Sequence, residues 1–215
     1  FSSAEYCTPV WLNSPHASKI DVQLNQTMHQ ISCTLNSTPL PWLPVLCNIA
    51  PPHIRRECAT MKMLGKRRSN SNCLLYNKLN NVPPARLVSR KPSWLYGEDV
   101  NEDNVKTKWK NQWNKKLPFN LHLILDPTKK VKGFMLPRKH WVTLNRFRTG
   151  VGKCKKEMVR WTMINDASCD CGAKIQSMEH ILNYCPISKF TSGLTDLHQL
   201  TPAALDWLSS LSLQV

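Results

Sequence analysis

Three cysteines and one histidine lie close together near the end of the chain, in the stretch CDCGAKIQSMEHILNYCP. Their order is Cys, one residue, Cys, eight residues, His, four residues, Cys, which selects Cys169, Cys171, His180 and Cys185. Three thiolates and one imidazole complete the tetrahedral shell of a structural zinc site and leave no position for water or substrate. We therefore predict a zinc ion that stabilises structure rather than one that takes part in catalysis.

Alternative interpretations of this cluster stay open at the level of sequence. Reduced cysteines without a ligand role are common in intracellular chains, and the spacing differs from that of the common nucleic-acid-binding knuckle. Cys154 and His140 could each replace one of the ligands. The remaining cysteines are expected in the core of a helical bundle: Cys7, Cys33, Cys47, Cys58 and Cys73.

Local elements must bring the four ligands together. Gly172 follows the second cysteine, where a tight turn lets the backbone fold back toward the metal. Ser177 is expected to cap a short helix that carries His180. Cys185 then lies at the end of that helix, and Pro186 prevents its continuation.

The charge of the chain is strongly uneven. The whole sequence has 29 Lys and Arg against 14 Asp and Glu, a net charge of +15. Residues 53–160 hold 26 basic and 7 acidic residues, a net of +19, whereas the two ends together carry a net of −4. Such a polycation attracts RNA or DNA by releasing condensed counterions. The alternative is a basic surface that only confers solubility.

A helix over 137–149 is predicted just before the cysteine cluster. Trp141, Leu144 and Phe147 fall on its inward face, and Gly150 suits its C-terminal cap. Its last turn carries two arginines that could either complement the helix dipole or bind phosphate. The predicted phosphate-binding edge comprises Arg146, Arg148, Lys153, Lys155, Lys156 and Arg160.

A second basic helix is predicted in NVKTKWKNQWNKK, residues 104–116. Val105, Trp109 and Trp113 recur at helical spacing, and we interpret the tryptophans as core residues rather than as platforms for base stacking. Lys106 and Lys110 lie on the other sides of this helix and are further candidates for contacts with nucleic acid.

The rest of the pattern predicts a mainly α fold. Residues 1–80 read as a small helical bundle, 81–103 as a linker rich in proline, and 104–215 as a basic domain that ends in the zinc-knuckle-like motif 169–185. Two amphipathic stripes support the bundle: Ile20, Leu24, Met28, Ile31 and Leu35, then Ile54, Cys58, Met61 and Leu64.

Several classes of function find no support in the sequence. No GxGxxG, Walker loop, GxSxG or HExxH pattern occurs, and no aspartate pair suits the two metals of a polymerase. No apolar run is long enough to span a membrane. We expect the chain alone to catalyse nothing, and its start at Phe1 suggests the tail of something longer.

Four stretches in order resemble a known family: AEYCTPVWLNSPH, TLNSTPLPWLPVLCNIAPPHIRRE, WVTLNRFRTGVGKC and CDCGAKIQSMEHILNYCP. Together they look like the C-terminal part of the reverse transcriptase of jockey-like non-LTR retrotransposons, with the weakest likeness between residues 62 and 105. The resemblance implies a helical thumb in residues 1–80 and a terminal Cys/His motif that binds nucleic acid. It carries over the four zinc ligands and, as contacts, Arg146 and Arg148.

The same resemblance sets expectations about the parent protein. RNA-directed DNA synthesis, with its magnesium ions, would belong to a catalytic domain that this sequence lacks. The partners would be RNA, DNA and the remainder of the polyprotein, with no membrane. The location would be intracellular, in the nucleus after a cytoplasmic ribonucleoprotein stage. Two alternatives are a free-standing zinc-containing module that binds nucleic acid or a partner, and a relic fragment without function.

Overall fold

The computed structural model describes residues 5–81 and 102–211. Within these ranges the chain is mainly helical and contains no β-strand, which confirms the predicted fold class. None of the helices described there combines the length and the apolar character needed to span a lipid bilayer.

Most of the helices are short, as expected for a chain with 15 prolines and 7 glycines. In chain order they are α1 (Thr8–Trp11), α2 (Ala17–Ser32), α3 (Trp42–Cys47), α4 (Pro52–Arg68), α5 (Tyr76–Asn80), α6 (Glu102–Lys116), α7 (Arg138–Thr149), α8 (Lys155–Arg160), α9 (Gly193–Gln199) and α10 (Pro202–Ser210). A 3-10 helix covers Leu121–Leu123 and a π-helix covers His180–Tyr184.

The chain divides into two compact units, each made from two separate stretches. The first unit combines Phe1–Thr27 with Ala50–Gln112, and the second combines Met28–Ile49 with Trp113–Val215. This pairing of distant stretches is not anticipated by a division in chain order. The predicted linker 81–103 lies almost wholly outside the described residues, so the predicted domain boundaries stay a prediction.

The first unit is built around α4. Pro52 begins this helix, where its missing N–H and fixed φ suit the first turn. Ile54 is buried, as its position in the predicted stripe requires. Arg56 is also buried, and its guanidinium binds both carboxylate oxygens of Asp21. This bidentate ion pair compensates the cost of removing the arginine from water.

Some expectations for the first eighty residues fail in detail. Helix α2 ends at Ser32, before the predicted Leu35, because Cys33 takes a left-handed conformation with φ 49°. Ile31, placed on the buried stripe, is exposed. Of the five cysteines expected in the core only Cys47 is buried; the half-buried ones are Cys7, Cys33, Cys58 and Cys73.

The core of the second unit forms around α7. Trp141, Leu144 and Phe147 are buried on this helix as predicted. Gly150 caps it with φ 69°, and its N–H donates to the carbonyl of Phe147. The hydrophobic cluster that contains Leu144 and Phe147 also includes residues within and after the cysteine motif: Met178, Ile181, Leu182, Phe190, Leu197, Ala204, Leu208 and Leu211. Helix α7 therefore shares one core with the segment that follows the first two candidate ligands.

The two tryptophans of α6 are core residues, as expected. Trp109 and Trp113 are both buried. The indole N–H of Trp113 donates to the carbonyl of Ile124, and its ring meets that of Trp42 edge-on with centroids 5.2 Å apart. The burial of both rings, together with these contacts of Trp113, supports packing over base stacking.

Candidate metal centre and basic surface

The four predicted ligands meet at one point. The ligand atoms of Cys169, Cys171, His180 and Cys185 all lie within 4.8 Å of one another. The sulfurs of Cys169 and Cys185 are 3.8 Å apart, and the Cys171 sulfur is 3.2 Å from Nε2 of His180. With metal–sulfur bonds of about 2.3 Å, sulfurs at two corners of a tetrahedron are about 3.8 Å apart. The donor set and its geometry fit a tetrahedral metal ion such as zinc.

The alternative ligands do not belong to this group. Cys154 is only 1% exposed and packs in the hydrophobic core beside α7, where burial raises the pKa of its thiol. His140 lies on α7 and is not among the converging side chains. The sequence-predicted set of four is therefore the one that the structure brings together.

A tight turn places the first two ligands on the same side of the loop. The N–H of Gly172 donates to the carbonyl of Cys169, and the N–H of Cys169 donates to the carbonyl of Ala173. Gly172 has φ 88°, a conformation that glycine adopts without steric cost. The single residue between the cysteines is thus compatible with chelation, because the turn is closed by the backbone rather than by the metal alone.

A π-helix positions the other two ligands. In an α-helix, residues five apart point about 140° away from each other. Here the N–H of Cys185 donates to the carbonyl of His180 over 2.7 Å, which widens the turn to five residues. His180 and Cys185 therefore return toward the same side. The predicted cap is present, since the N–H of His180 binds Oγ of Ser177 at 3.0 Å, but the expected short helix is a π-helix.

The hydrophobic core anchors this ligand-bearing segment. Ile181 is fully buried and Leu182 is 3% exposed, so both side chains between the ligands point into the core of the second unit. The carbonyl of Leu182 accepts a hydrogen bond from the N–H of Phe190, another core residue. Formation of the core and assembly of the metal centre are consequently linked.

Gln176 joins the metal centre to α8. Its side chain is 4% exposed, and its Nε2 donates to the sulfur of Cys169 at 3.5 Å. Its Oε1 accepts from the N–H of Lys155, and its backbone carbonyl accepts from the N–H of Lys156. A hydrogen-bond donor to a metal-bound sulfur orients the ligand and tunes the site. The sequence offers no signal for this role, since the partners in α8 lie about twenty positions away.

The protonation of the thiols suits a cation. Burial raises the pKa of Cys185, but hydrogen bonds from Ser188, the Ile187 backbone and Cys169 outweigh it, and the pKa falls to about 6. This favours the thiolate, the form that binds metals. At Cys171 the Ala173 backbone lowers the pKa, but burial and the two neighbouring thiols raise it overall. Crowded sulfurs resist ionisation together, and a bound cation would relieve that repulsion.

The structure corrects one of the predicted nucleic-acid contacts. Arg148 is completely buried. Its Nε donates to Nδ1 of His198 at 3.0 Å, and its two terminal nitrogens donate to Oδ1 of Asn145 and to the carbonyl of Lys132. Its guanidinium is therefore occupied inside the second unit, and the expectation that it contacts nucleic acid is wrong for this structure.

This buried arrangement is a polar cluster separate from the metal centre. Burial lowers the pKa of Arg148 to about 9, and burial with the charges of Arg148, Lys132 and His122 lowers the pKa of His198 to about 4. His198 must be neutral with its proton on Nε2, because Nδ1 accepts from the guanidinium. The guanidinium also lies over the ring of Trp141, 5.8 Å from its centroid.

The other predicted contacts differ in accessibility. Arg146 is half-buried, its pKa is lowered by burial, and its Nε lacks a partner within the described ranges. Lys155 pairs with Asp170 at 2.7 Å, and Arg160 with Glu157 at 3.5 Å. The exposed cations of the second unit that were predicted as contacts are Lys153, Lys156 and Arg160.

The predicted contacts on α6 belong to the first unit. Lys106 is exposed there, and Lys110 is half-buried. They remain predicted contacts, whereas the other predicted contacts, on α7 and on and beside α8, lie in the same compact unit as the metal centre.

Comparison with known proteins returns no match. No family model, no curated protein and no solved structure is similar to this chain. The resemblance to retrotransposon reverse transcriptases therefore stays a hypothesis, and function must be argued from the site itself.

Proposed function

We propose that the chain binds nucleic acid through a basic surface that a zinc ion holds in shape, without catalysing a reaction itself. The observation that carries this proposal is the link through Gln176, which ties the first turn of α8 to the sulfur of a metal ligand. Zinc is the proposed ion because three thiolates and one imidazole suit it in a closed tetrahedral site. Such a site supplies folding energy and no reactive water.

The exposed cations on and beside α8 support this proposal. Lys153 and Lys156 are exposed, and the side chain of Arg160 remains 71% accessible despite its contact with Glu157. Flexible exposed cations bind phosphate oxygens and release counterions, which makes the affinity steeply dependent on salt. We expect RNA and DNA as the ligands, with backbone phosphates supplying most of the affinity.

We further propose, from the sequence resemblance alone, that this chain corresponds to the thumb and terminal region of a retrotransposon reverse transcriptase. Its nuclear location, its ribonucleoprotein partners and the magnesium of the polymerase step belong to this proposal. A second candidate is a self-contained zinc-dependent binding module. It is favoured by one observation, namely that the ligands and the main hydrophobic core lie in the same compact unit.

Salt-dependent binding tests the proposed function. Fluorescence anisotropy with labelled single-stranded and duplex RNA and DNA would be measured between about 50 and 200 mM salt. The triple variant Lys153→Gln, Lys156→Gln, Arg160→Gln should flatten the slope of log affinity against log salt by about 2 to 3.

A matched control removes the same charge from α4 in the first unit. The variant Lys62→Gln, Lys66→Gln, Arg67→Gln changes three exposed residues. It should affect the slope less than the α8 variant does. Equal effects of the two variants would mean that net charge alone drives binding, and binding independent of salt would refute the proposed function.

A further inference from the structure

A cavity of about 350 Å³ lies beside α8 in the second unit. The ring of Phe119 lines it together with polar side chains, among them Lys156, Ser177, Glu179 and Asn183. Buried apolar residues such as Leu182 complete the lining. An aromatic ring, an apolar interior and a few hydrogen-bonding groups are the usual features of a site for a small planar group.

Phe119 is held in place although its side chain is 60% exposed. Its carbonyl accepts a hydrogen bond from the indole N–H of Trp42 at 3.0 Å. The next residue, Asn120, donates from its side chain to the carbonyl of Arg148 at 2.9 Å. The Phe119 carbonyl and the side chain of the next residue are thereby tied to buried residues of the same unit.

The surroundings of Phe119 show two further signs of a constrained position. A Cβ atom at Gly150 would lie 2.7 Å from a ring carbon of Phe119, so only glycine allows this close approach. Leu117 and Asn120, on either side of the ring, have φ of 42° and 60°. A left-handed leucine is strained, and such strain concentrates at ligand sites. A large apolar ring is thus fixed at the surface at some conformational cost.

We propose that this cavity takes one unstacked nucleobase of a single-stranded nucleic acid, stacked on Phe119. The inference rests on the proposed nucleic-acid binding and names where a base, rather than a phosphate, is held. Every base offers a π-face to an aromatic ring. Lys156 binds the adjoining phosphate, while Glu179 and Asn183 accept and donate hydrogen bonds at the edge of the base.

The charge of the lining favours a base over a free anion. Lys156 supplies a cation, but Glu157 and Glu179 also line the cavity. Two carboxylates repel a phosphate inside the cavity and accept hydrogen bonds from the amino groups of a base. Lys156 at the cavity and the exposed Lys153 outside its lining then hold the backbone, which places the base inward.

The segment that carries the ligand His180 forms part of the cavity lining. Ser177 caps the turn at His180, and Glu179 directly precedes this ligand. Loss of the metal should therefore weaken base binding as well as stability. This is a connection that a separate surface pocket would not show.

The test compares strands with and without bases. The full chain would be titrated with a labelled single strand of mixed sequence and with the same sugar–phosphate backbone made wholly of abasic residues. We expect the strand with bases to bind about 5- to 100-fold more tightly, the range expected for stacking of one base. Phe119→Ala should remove most of this difference, and Phe119→Trp should retain it.

Leu125→Ala is the matched control, since Leu125 is an exposed apolar residue a few positions away, with 95% exposure. It should leave the difference unchanged. Circular dichroism and metal content verify that each variant is folded. Competition by free mononucleotides distinguishes a site for single nucleotides from one that also requires the strand.

The outcomes separate the two proposals. If the wild type binds both strands equally, or Phe119→Ala binds as the wild type does, the base site is wrong while nucleic-acid binding stands. If neither strand binds at any salt concentration, the proposed function fails and the base site with it. If mononucleotides compete as well as the strand does, the site belongs to free nucleotides and the proposed occupant is wrong.

Discussion

Two polar clusters among the described residues of the second unit differ in where their positive charge comes from. At the metal centre, three thiols and one imidazole converge in an arrangement that could hold a metal ion, which would come from solution. At the second cluster, the cation is the buried guanidinium of Arg148. It donates hydrogen bonds to neutral acceptors on His198, Asn145 and a backbone carbonyl. With a metal bound, the first cluster would depend on an external ion, whereas the cation of the second belongs to the chain itself.

The difference shows how each cluster depends on conditions. Negative thiolates near one another repel each other unless a cation binds between them, so a metal-binding first cluster would respond to metal supply. The second cluster contains a buried cation with no carboxylate among its described partners, and it stays intact only while His198 is neutral. The first should fail on chelation, and the second on acidification.

The largest effect should come from removing the metal. Chelation, or Cys185→Ser, should abolish the cooperative unfolding of the second unit, since structural zinc contributes about 10–16 kcal/mol of apparent binding energy in small domains. Thermal unfolding followed by near-UV circular dichroism measures the loss, and elemental analysis should find about one zinc per chain. Cys73→Ser is the control, because Cys73 lies outside the ligand group. A metal-free chain whose thermal unfolding is the same as that of the untreated protein would contradict a structural role for the metal centre.

Removal of the buried arginine should be the next largest effect. Arg148→Met keeps the apolar stem but leaves the acceptors of His198, Asn145 and Lys132 without a donor. We expect a loss of about 3–5 kcal/mol in the free energy of unfolding. Urea denaturation measures it, with Arg160→Met as the control at an exposed arginine. A loss within about 0.5 kcal/mol of the control would show that the cluster does not act as a structural unit.

Acidification should separate the two clusters further. The pKa of His198 is lowered to about 4 from its usual 6.5, so the unfolded chain takes up a proton that the folded chain refuses. The contribution of His198 to the free energy of unfolding is therefore fully present above about pH 6.5. It falls as pH decreases toward 4, by about 1.4 kcal/mol per pH unit.

Comparison with His198→Gln isolates this contribution, because the metal centre is the same in both proteins. Denaturation between about pH 6 and 4.5 should show a steeper loss for the wild type than for the variant. An NMR titration of His198 provides a direct second measurement. A pKa of about 6.5 for His198 in the folded chain would contradict the expected loss of the Arg148 cluster on acidification.

The smallest predicted effect concerns a residue that joins the surroundings of the two clusters. The indole N–H of Trp207 donates to the carbonyl of Ser188, just after the ligand Cys185, and its ring lies 5.3 Å from that of Phe147 on α7. Trp207→Phe should cost about 1–2 kcal/mol through the lost hydrogen bond and reduced packing. Trp161→Phe at the end of α8 is the comparison, and chemical denaturation gives both values. Equal losses of unfolding free energy in the two variants would mean that the contacts of Trp207 with Ser188 and Phe147 contribute no additional stability.

The two clusters also differ in how far the sequence reveals them. The metal ligands lie within seventeen consecutive positions, and their chemistry limits what they can be. Arg148 and His198 are fifty positions apart, and nothing in the spacing indicates that an arginine in a basic stretch is buried. The same helix was predicted correctly through Trp141 and Phe147, because apolar periodicity reports burial whereas charge does not.

Local geometry sets a second limit. The spacing of His180 and Cys185 conflicts with an α-helix, and only the hydrogen bond between their backbones shows that a π-helix resolves it. The exposure of Phe119 is also not predictable from the sequence, since a single phenylalanine after a proline gives no indication that its side chain is exposed. Its surroundings come from Trp42 and Gly150, which lie far away along the chain.

Gln176 has a thermodynamic consequence. Its side chain touches a metal ligand and the first turn of α8 at the same time. Coupling between two binding sites is reciprocal, so a metal that raises the affinity of α8 for nucleic acid must itself be held more tightly, by the same factor, once the nucleic acid is bound. On the proposed function, the nucleic acid would therefore protect the metal from competing chelators, and the chain would retain its ion best where nucleic acid is abundant.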